Sequence, residues 1–198
     1  MPSSRKPAPA RASAPGKVRI IAGRLRGSKI EVAANPGLRP SPERLRETLF
    51  NWLQARIEGA RCLDLFAGSG VLGIEAASRG AAFVVLVESD PGLAARIEAN
   101  RQRLGVLGRV HCQDALRFLD SPAEPFDLVF VDPPFAAGHW SLVAQKLEQQ
   151  GFLADNGLIY LETPSAGEIA VPSNWSLLKQ AKVSSVRGLL YQRRARLR

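Results

Sequence analysis

Two short stretches of this 198-residue chain hold residue types that could do chemistry. In "LDLFAGSGVLG", residues 63 to 73, an apolar run stops at glycines, and Gly68-x-Gly70-x-x-Gly73 has the spacing of a nucleotide-cradling turn. Glu88 follows Gly68 by 20 positions, where a carboxylate can accept hydrogen bonds from a ribose diol. The second stretch is "VFVDPPF", residues 129 to 135. Its two prolines remove two backbone donors and hold the chain extended. What remains is a rigid row of acceptors, the Asp132 carboxylate and the carbonyls beside it, which suits the exocyclic amine of a nucleobase. Accepting both amine protons draws the nitrogen lone pair out of conjugation and aims it at a methyl donor. Phe135 can stack on the base, a contact worth about 1–3 kcal/mol. The four residues Asp132, Pro133, Pro134 and Phe135 would then act by positioning more than by strong base catalysis. Taken alone, however, a D-P-P-F sequence is as well explained by a tight surface turn.

Its meaning depends on the elements that carry it. From residue 61 the chain alternates strand and helix: "CLDLF", "GVLGIEAASRG", "AFVVLVE", "DPGLAARIEANRQRLG", "RVHCQ", "DALRFL", "FDLVFVD", a helix over 140 to 150, and "GLIYLET". Asp90 before Pro91 is an expected helix N-cap. The end, "WSLLKQAKVSSVRGLLYQRRARL", reads as two strands joined by a turn without a helix. The expected fold is α/β and Rossmann-like, with a mainly parallel seven-stranded sheet and an antiparallel C-terminal strand. In such a sheet ligands bind beyond the carboxyl ends of the strands. The glycine turn, Glu88, Asp114 and "DPPF" all fall at such ends, and this shared edge is the strongest functional argument in the sequence.

Ahead of this core, "VRIIAGRLRGSKIEV" reads as a hairpin with Arg24, Arg26 and Lys29 near its tip, suited to a nucleic-acid backbone or simply packed on the core. A helix follows, with Ser41 as cap, Pro42 in its first turn and Leu45, Leu49, Trp52 and Leu53 on one face. Residues 1 to 61 hold 13 Lys/Arg against 4 Asp/Glu, whereas residues 62 to 198 hold 14 of each. The basic residues of that second part crowd "RGLLYQRRARLR" at the very end. A near-neutral core with basic extensions suggests polyanion-binding arms. The division expected is a disordered basic tail over 1–17, a hairpin-and-helix extension over 18–60 that contacts RNA or covers the site, and a catalytic domain over 61–198. No apolar run approaches the roughly 20 residues of a membrane helix, and the start has no hydrophobic signal segment, so a cytoplasmic protein is expected. Cys62 and Cys112 lie in apolar strand-like stretches at a spacing that suggests no metal site, and both are expected to be buried thiols.

Up to this point a nicotinamide dinucleotide and S-adenosylmethionine are both tenable ligands. Asp64 begins to separate them. It puts a carboxylate beside the glycine turn, where a pyrophosphate would meet like charge and a cationic sulfonium would be favoured. The alternative role for Asp64 is to hydrogen-bond the loop backbone, which suits either ligand.

At this combination of motifs the chain resembles the class I S-adenosylmethionine-dependent methyltransferases over residues 61 to 198. The [DN]-P-P-[FYW] loop is similar to that of members acting on exocyclic amino nitrogens. "RIIAGRLRGSKI", "LRPSPERLRETLFNWL" and "CLDLFAGSGVLGIEAASRGA" narrow the resemblance to the bacterial RsmD family of 16S ribosomal RNA guanine-N2 methyltransferases. The resemblance implies S-adenosylmethionine as cofactor, held by Asp64, Phe66, Gly68, Gly70, Glu88, Asp114 and Ala115, with Asp132 to Phe135 catalytic and no metal. It implies 16S rRNA in the assembled small ribosomal subunit as substrate. Arg24, Arg26 and Lys29 of the basic hairpin are the expected RNA contacts, Arg39, Arg46 and Asn51 are expected to contact the substrate or to form a lid over the cofactor, and a monomer without a membrane is expected. Arg46 is equally suited to a structural pairing with Glu47. The family usually carries "RPT" where this chain has Arg39-Pro40-Ser41, which keeps a hydroxyl at the cap. His139, just past the loop, is left out of the catalytic set, since a methylated amine sheds its proton readily to water. An adenine-N6 methyltransferase of DNA or RNA shares the acceptor chemistry, because the four-residue loop does not encode the base. A glutamine-amide methyltransferase fits the basic arms poorly, and pyrimidine carbon methylation would want a cysteine near the loop. A non-catalytic RNA-binding assembly factor on the same fold, or a dehydrogenase if "DPPF" is a mere turn, are the readings furthest from this one.

Overall fold

The computed structural model describes residues 16–32, 43–135 and 138–195. Arg39, the expected cap Ser41 and Pro42 lie outside them. Among the described residues the first element is a two-stranded antiparallel hairpin, β1 (Gly16–Arg19) and β2 (Lys29–Val32), followed by α1 (Glu43–Trp52). The alternating core then runs β3 (Arg61–Asp64), α2 (Val71–Ser78), β4 (Phe83–Glu88), α3 (Pro91–Arg103), β5 (Gly108–Cys112), α4 (Ala115–Phe118), β6 (Phe126–Val131), α5 (Trp140–Gln149) and β7 (Leu153–Pro164). A second hairpin, β8 (Trp175–Val183) and β9 (Val186–Arg193), closes the fold.

Seven strands form one sheet in the order β5-β4-β3-β6-β7-β9-β8. All pairs from β5 to β7 are parallel, and β9 runs antiparallel between β7 and β8. The expected architecture therefore holds, including its single reversed strand. Strand order reverses around β3, whose neighbours β4 and β6 are reached by connections on opposite faces. One face carries α1, α2 and α3 over Cys62, Val84, Leu86, Leu128, Phe130, Leu158 and Tyr160. The other carries α4 and α5 over Leu63, Val85, Val87, Val129, Val131, Ile159 and Leu161. Alternate residues of every central strand thus face opposite cores, which is why these strands read as unbroken apolar runs.

Helix starts follow their local chemistry. Asp90 caps α3 by accepting from the Leu93 N–H at 2.8 Å, with Pro91 in the first turn. Gly70 stands before α2 at φ +76°, a left-handed conformation that a side chain disfavours. Gly73 is required for a different reason: a Cβ there would sit 2.9 Å from Leu86 Cδ2, so the third glycine of the motif lets α2 approach β4.

Three expectations need correcting. The first hairpin begins at Gly16, so Gly16 and Lys17 belong to a strand and not to the basic tail. Ile20, Ile21 and Ala22 leave the strand because two of their amides bind elsewhere: those of Ile21 and Ala22 donate to the buried Glu75 carboxylate at 2.8 and 3.0 Å. Cys62 is buried as expected, but Cys112 is exposed, on the outermost strand of the sheet. Finally, β7 starts four residues earlier than Gly157, with its register against β6 shifting between Phe126 and Leu128.

Candidate active site

Because β5, β4, β3, β6 and β7 are adjacent and parallel, their carboxyl ends form one continuous edge. Along it stand, in order, Asp114, Glu88, Asp64 with the glycine turn, and Asp132. The fold thus brings together the residues that strand polarity assigns to one edge.

The turn after β3 is built from its own carboxylates. Glu88 Oε2 accepts the Gly68 N–H at 2.8 Å, and Oε1 accepts the Asp90 N–H at 2.8 Å, so one side chain fixes the turns after two neighbouring strands. Gly68 and Gly70 both have positive φ, +55° and +76°. The last turn of the strand is stitched to its neighbours by Leu65 N–H to Phe130 O and Ala67 N–H to Val87 O. Phe66, half-buried, packs on the second core beside α4 and α5.

Asp64 is buried, and its Oδ2 accepts the Gly73 N–H at 2.9 Å. The bond goes to backbone, as in the alternative role, but to the first turn of α2 instead of the loop. Burial pushes its pKa up to about 7, against the lowering effect of the Gly73 bond and with the negative charge of Glu88 adding to the rise. An acid raised in the folded state is held protonated by the fold while the unfolded chain has already ionised. Stability should therefore fall as pH climbs from about 4 to 7, by roughly 4 kcal/mol from this group. Asp64→Asn keeps an oxygen for the Gly73 N–H and removes the titration. Urea denaturation at pH 5 and pH 8 should show a smaller loss for the variant; equal losses would mean that Asp64 is ionised throughout.

Asp114 caps the short α4, its Oδ1 accepting the Arg117 N–H at 3.0 Å, and Ala115 is the buried first residue of that helix. The catalytic-loop candidates follow β6 directly. Asp132 is half-buried, Pro133 buried, and Pro134 and Phe135 exposed. Phe135 is 41% exposed, and its ring lies 6.0 Å from the Trp140 ring in a tilted arrangement.

The basic residues divide. Arg24, Arg26, Lys29 and Asn51 are not buried. Arg24 is also structural, its guanidinium donating to the Gly105 carbonyl at 2.9 Å beyond the end of α3. Arg46 is only 2% exposed; it donates to the Arg19 carbonyl at 2.9 Å, and its Nε has no hydrogen-bond partner among the described residues. Burial lowers its pKa, and the Glu75 charge works against that lowering. The pairing of Arg46 with Glu47 is replaced by an electrostatic relation to Glu75 and Glu43.

Two carboxylates escape a reading of the sequence alone. Glu75 sits inside the otherwise apolar "VLGIEAAS", a helix buried on every side, and a charge in such a run is itself the signal of a buried partner. Glu162, in "GLIYLET", lies at the carboxyl end of β7 next to Asp132. The edge rule applied to a fifth strand finds it.

Sheet order, helix placement and reversed strand define the class: this is the Rossmann-like fold of the class I methyltransferases. A solved Escherichia coli structure bearing a methyltransferase name superposes with a TM-score of 0.85, at 43% identity over 91% of this chain and all of that one. The family model described as Conserved hypothetical protein 95 matches residues 18–192. Ribosomal RNA small subunit methyltransferase D of Escherichia coli is 45% identical over 92% of this chain and 93% of its own length. Its namesake from Haemophilus influenzae is 43% identical over 91% and 96%. The chain belongs to this family, that of ribosomal RNA small subunit methyltransferase D.

Proposed function

We propose that the protein methylates the exocyclic N2 amine of one guanine in 16S rRNA, using S-adenosylmethionine. The observation that carries this reading is the position of Asp132-Pro133-Pro134-Phe135 at the end of β6, beside the glycine turn that ends β3 on the neighbouring strand. Ribosomal RNA methylation by S-adenosylmethionine follows from the family; the choice of guanine N2 rests on the resemblance of the flanking segments.

The residues present fit the cofactor. The side chains that the sheet sets along this edge, Asp64, Glu88, Asp114 and Asp132, are carboxylates, which makes the site short of positive charge. A cationic sulfonium and its amino group relieve that shortage, whereas a pyrophosphate would worsen it. Gly68 and Gly70 bring backbone close to the ligand, Glu88 holds the ribose hydroxyls, and Asp114 and Ala115 meet the adenine. Phe66, half-buried beside the glycine turn, flanks the cofactor. When bound, the cofactor supplies a methyl group made electrophilic by its positively charged sulfur. The chain supplies position: Asp132 and the carbonyl beside Pro133 hold the amine protons, and Phe135 stacks on the base.

The substrate is 16S rRNA within the assembled small subunit, and the enzyme acts as a cytoplasmic monomer. Arg24, Arg26, Lys29, Arg39 and Asn51 contact RNA; Arg46, buried as it is, supports them from beneath. Arg26→Ala with Lys29→Ala should weaken subunit binding and flatten its salt dependence by about 0.7 in log–log slope for each phosphate no longer neutralised. Filter binding across a salt series measures this, and an unchanged slope would assign the hairpin a packing role only. Mapping the methyl group missing from rRNA of a deletion strain tests the whole reading: loss of one N2-methylguanosine is expected, and an unaltered 16S rRNA would refute it.

A further inference from the structure

We propose that Glu162 reads the target base, its carboxylate accepting the guanine N1–H beside the amine held by Asp132. The proposal rests on the guanine-N2 reading above and deepens it, since the D-P-P-F loop by itself does not distinguish guanine from adenine.

The placement comes from register. β6 and β7 are parallel, with Phe130 opposite Tyr160 and Val131 opposite Leu161. Continuing that pairing by one residue sets 132 beside 162 on neighbouring strands, whose spacing is roughly 4.8 Å. Phe130 and Tyr160 both face the core under α1 and α2, so strand alternation sends Asp132 and Glu162 to the same side of the sheet.

Hydrogen bonds to both its side chain and its backbone hold Glu162. The Tyr160 hydroxyl donates to its Oε2 at 3.2 Å. Burial raises the Tyr160 pKa, and both Glu162 and Asp132 add to that rise, so this hydroxyl lies within the field of both carboxylates. The Trp140 indole N–H donates to the Glu162 carbonyl at 2.8 Å, and the same Trp140 ring lies 6.0 Å from Phe135. The backbone of Glu162 is thus tied to the ring that faces the stacking residue. Glu162 is 4% exposed, so a bond to its carboxylate forms in a nearly dry setting, where a charge-assisted hydrogen bond counts most.

The chemistry separates the two purines. Guanine presents a donor at N1 beside its N2 amine; adenine presents a lone pair at N1 beside its N6 amine. A carboxylate has about four acceptor sites and no donor, so it can take the guanine proton while still accepting from Tyr160. Facing adenine it meets a lone pair, which makes Glu162 a repulsive element as well as an attractive one.

The test uses small subunits reconstituted with 16S rRNA carrying guanine or 2-aminopurine at the nucleotide that the wild-type protein methylates. The analogue keeps the N2 amine but has a lone pair at N1. Wild type should prefer guanine by about a hundredfold in kcat/KM. In Glu162→Gln the amide oxygen keeps the Tyr160 bond and the amide N–H can face N1. Activity on guanine should fall about a hundredfold while the preference narrows to within about tenfold, at unchanged S-adenosylmethionine affinity and Tm. Tyr160→Phe, which removes one bond to the Glu162 carboxylate without removing the carboxylate, should narrow the preference in the same direction and covers the case of a Gln variant that does not fold. Equal losses on both bases, or a loss on guanine of less than about threefold, would overturn the role of Glu162. Nucleoside analysis of the wild-type product separates the two levels: absence of N2-methylguanosine sinks the underlying reading, and with it this one.

Discussion

Asp132→Ala should lower kcat/KM by about a thousandfold while leaving S-adenosylmethionine affinity within about twofold of wild type. The expectation follows from where Asp132 stands. It directly follows β6, one strand away from the glycine turn and two from Glu88, so it can contact the substrate without holding the cofactor. Truncation removes an acceptor from the amine and leaves the fold intact, because the residue is only half-buried. Asp132→Asn distinguishes the two ways in which this side chain could act. Its carbonyl still accepts an amine proton, so if acceptor geometry dominates the reduction should be about ten- to a hundredfold, well short of alanine. Were Asp132 a base that takes the proton outright, asparagine would be as damaging as alanine. Single-turnover methylation of small subunits measures the rates, and calorimetric titration of the cofactor measures the affinity. A variant that fails to bind cofactor would move Asp132 from the substrate side to the cofactor side of the site.

The parts of this molecule that are legible in its sequence are those whose physics is local. Strand–helix alternation from residue 61, the cap at Asp90, the glycine turn and the end of β6 each follow from a few consecutive residues, and all stand where the pattern puts them. The shared edge is legible for the same reason, since parallel order places every strand end on one side. Burial of polar groups is not. The nearby Glu43 does not announce that the Arg46 guanidinium lies under the first hairpin, because its hydrogen-bond partner is Arg19, 27 residues earlier, and the larger opposing charge is that of Glu75. Cys112 sits in an apolar-looking "RVHCQ", yet β5 is the outermost strand, and only sheet order reveals which side of an edge strand meets solvent. Glu162 is a third kind of miss. Its strand is expected and the edge rule covers it, but a glutamate next to threonine at a strand end looks like ordinary surface.

Glu75→Ala should destabilise the protein by about 3–5 kcal/mol, the range for removing one partner of a buried ion pair. Glu75 is fully buried, and its carboxylate accepts from the Ile21 and Ala22 amides at 2.8 and 3.0 Å and from Arg79 Nε at 2.8 Å. Arg79 in turn lies 4.9 Å over the Phe50 ring, and Arg46 feels the same negative charge. Alanine leaves two amides and two guanidinium groups around a site from which their common counter-charge has gone, and this uncompensated burial dominates the cost. The pieces involved come from the first hairpin, α1 and α2, so Glu75 joins the N-terminal extension to the cofactor-binding core. Close packing reinforces the joint: a Cβ at Gly23 would lie 1.8 Å from the Ser78 carbonyl, and the Arg24 N–H donates to that same oxygen at 2.8 Å. Removing the charge should therefore act first on the hairpin. Amide exchange at Ile21 and Ala22 should accelerate before the sheet opens, and the urea midpoint should fall with little change in m. Glutamine, which keeps one acceptor but not the charge, should recover only part of the stability. If alanine cost less than about 1 kcal/mol, the hairpin would be held by Ile20 and Ile30 in the apolar core and the buried charge would be incidental. If the cost is as large as expected, the basic hairpin and the strand edge that carries Asp132 fold as one unit, and the RNA contacts proposed for Arg26 and Lys29 would be in fixed register with Asp132.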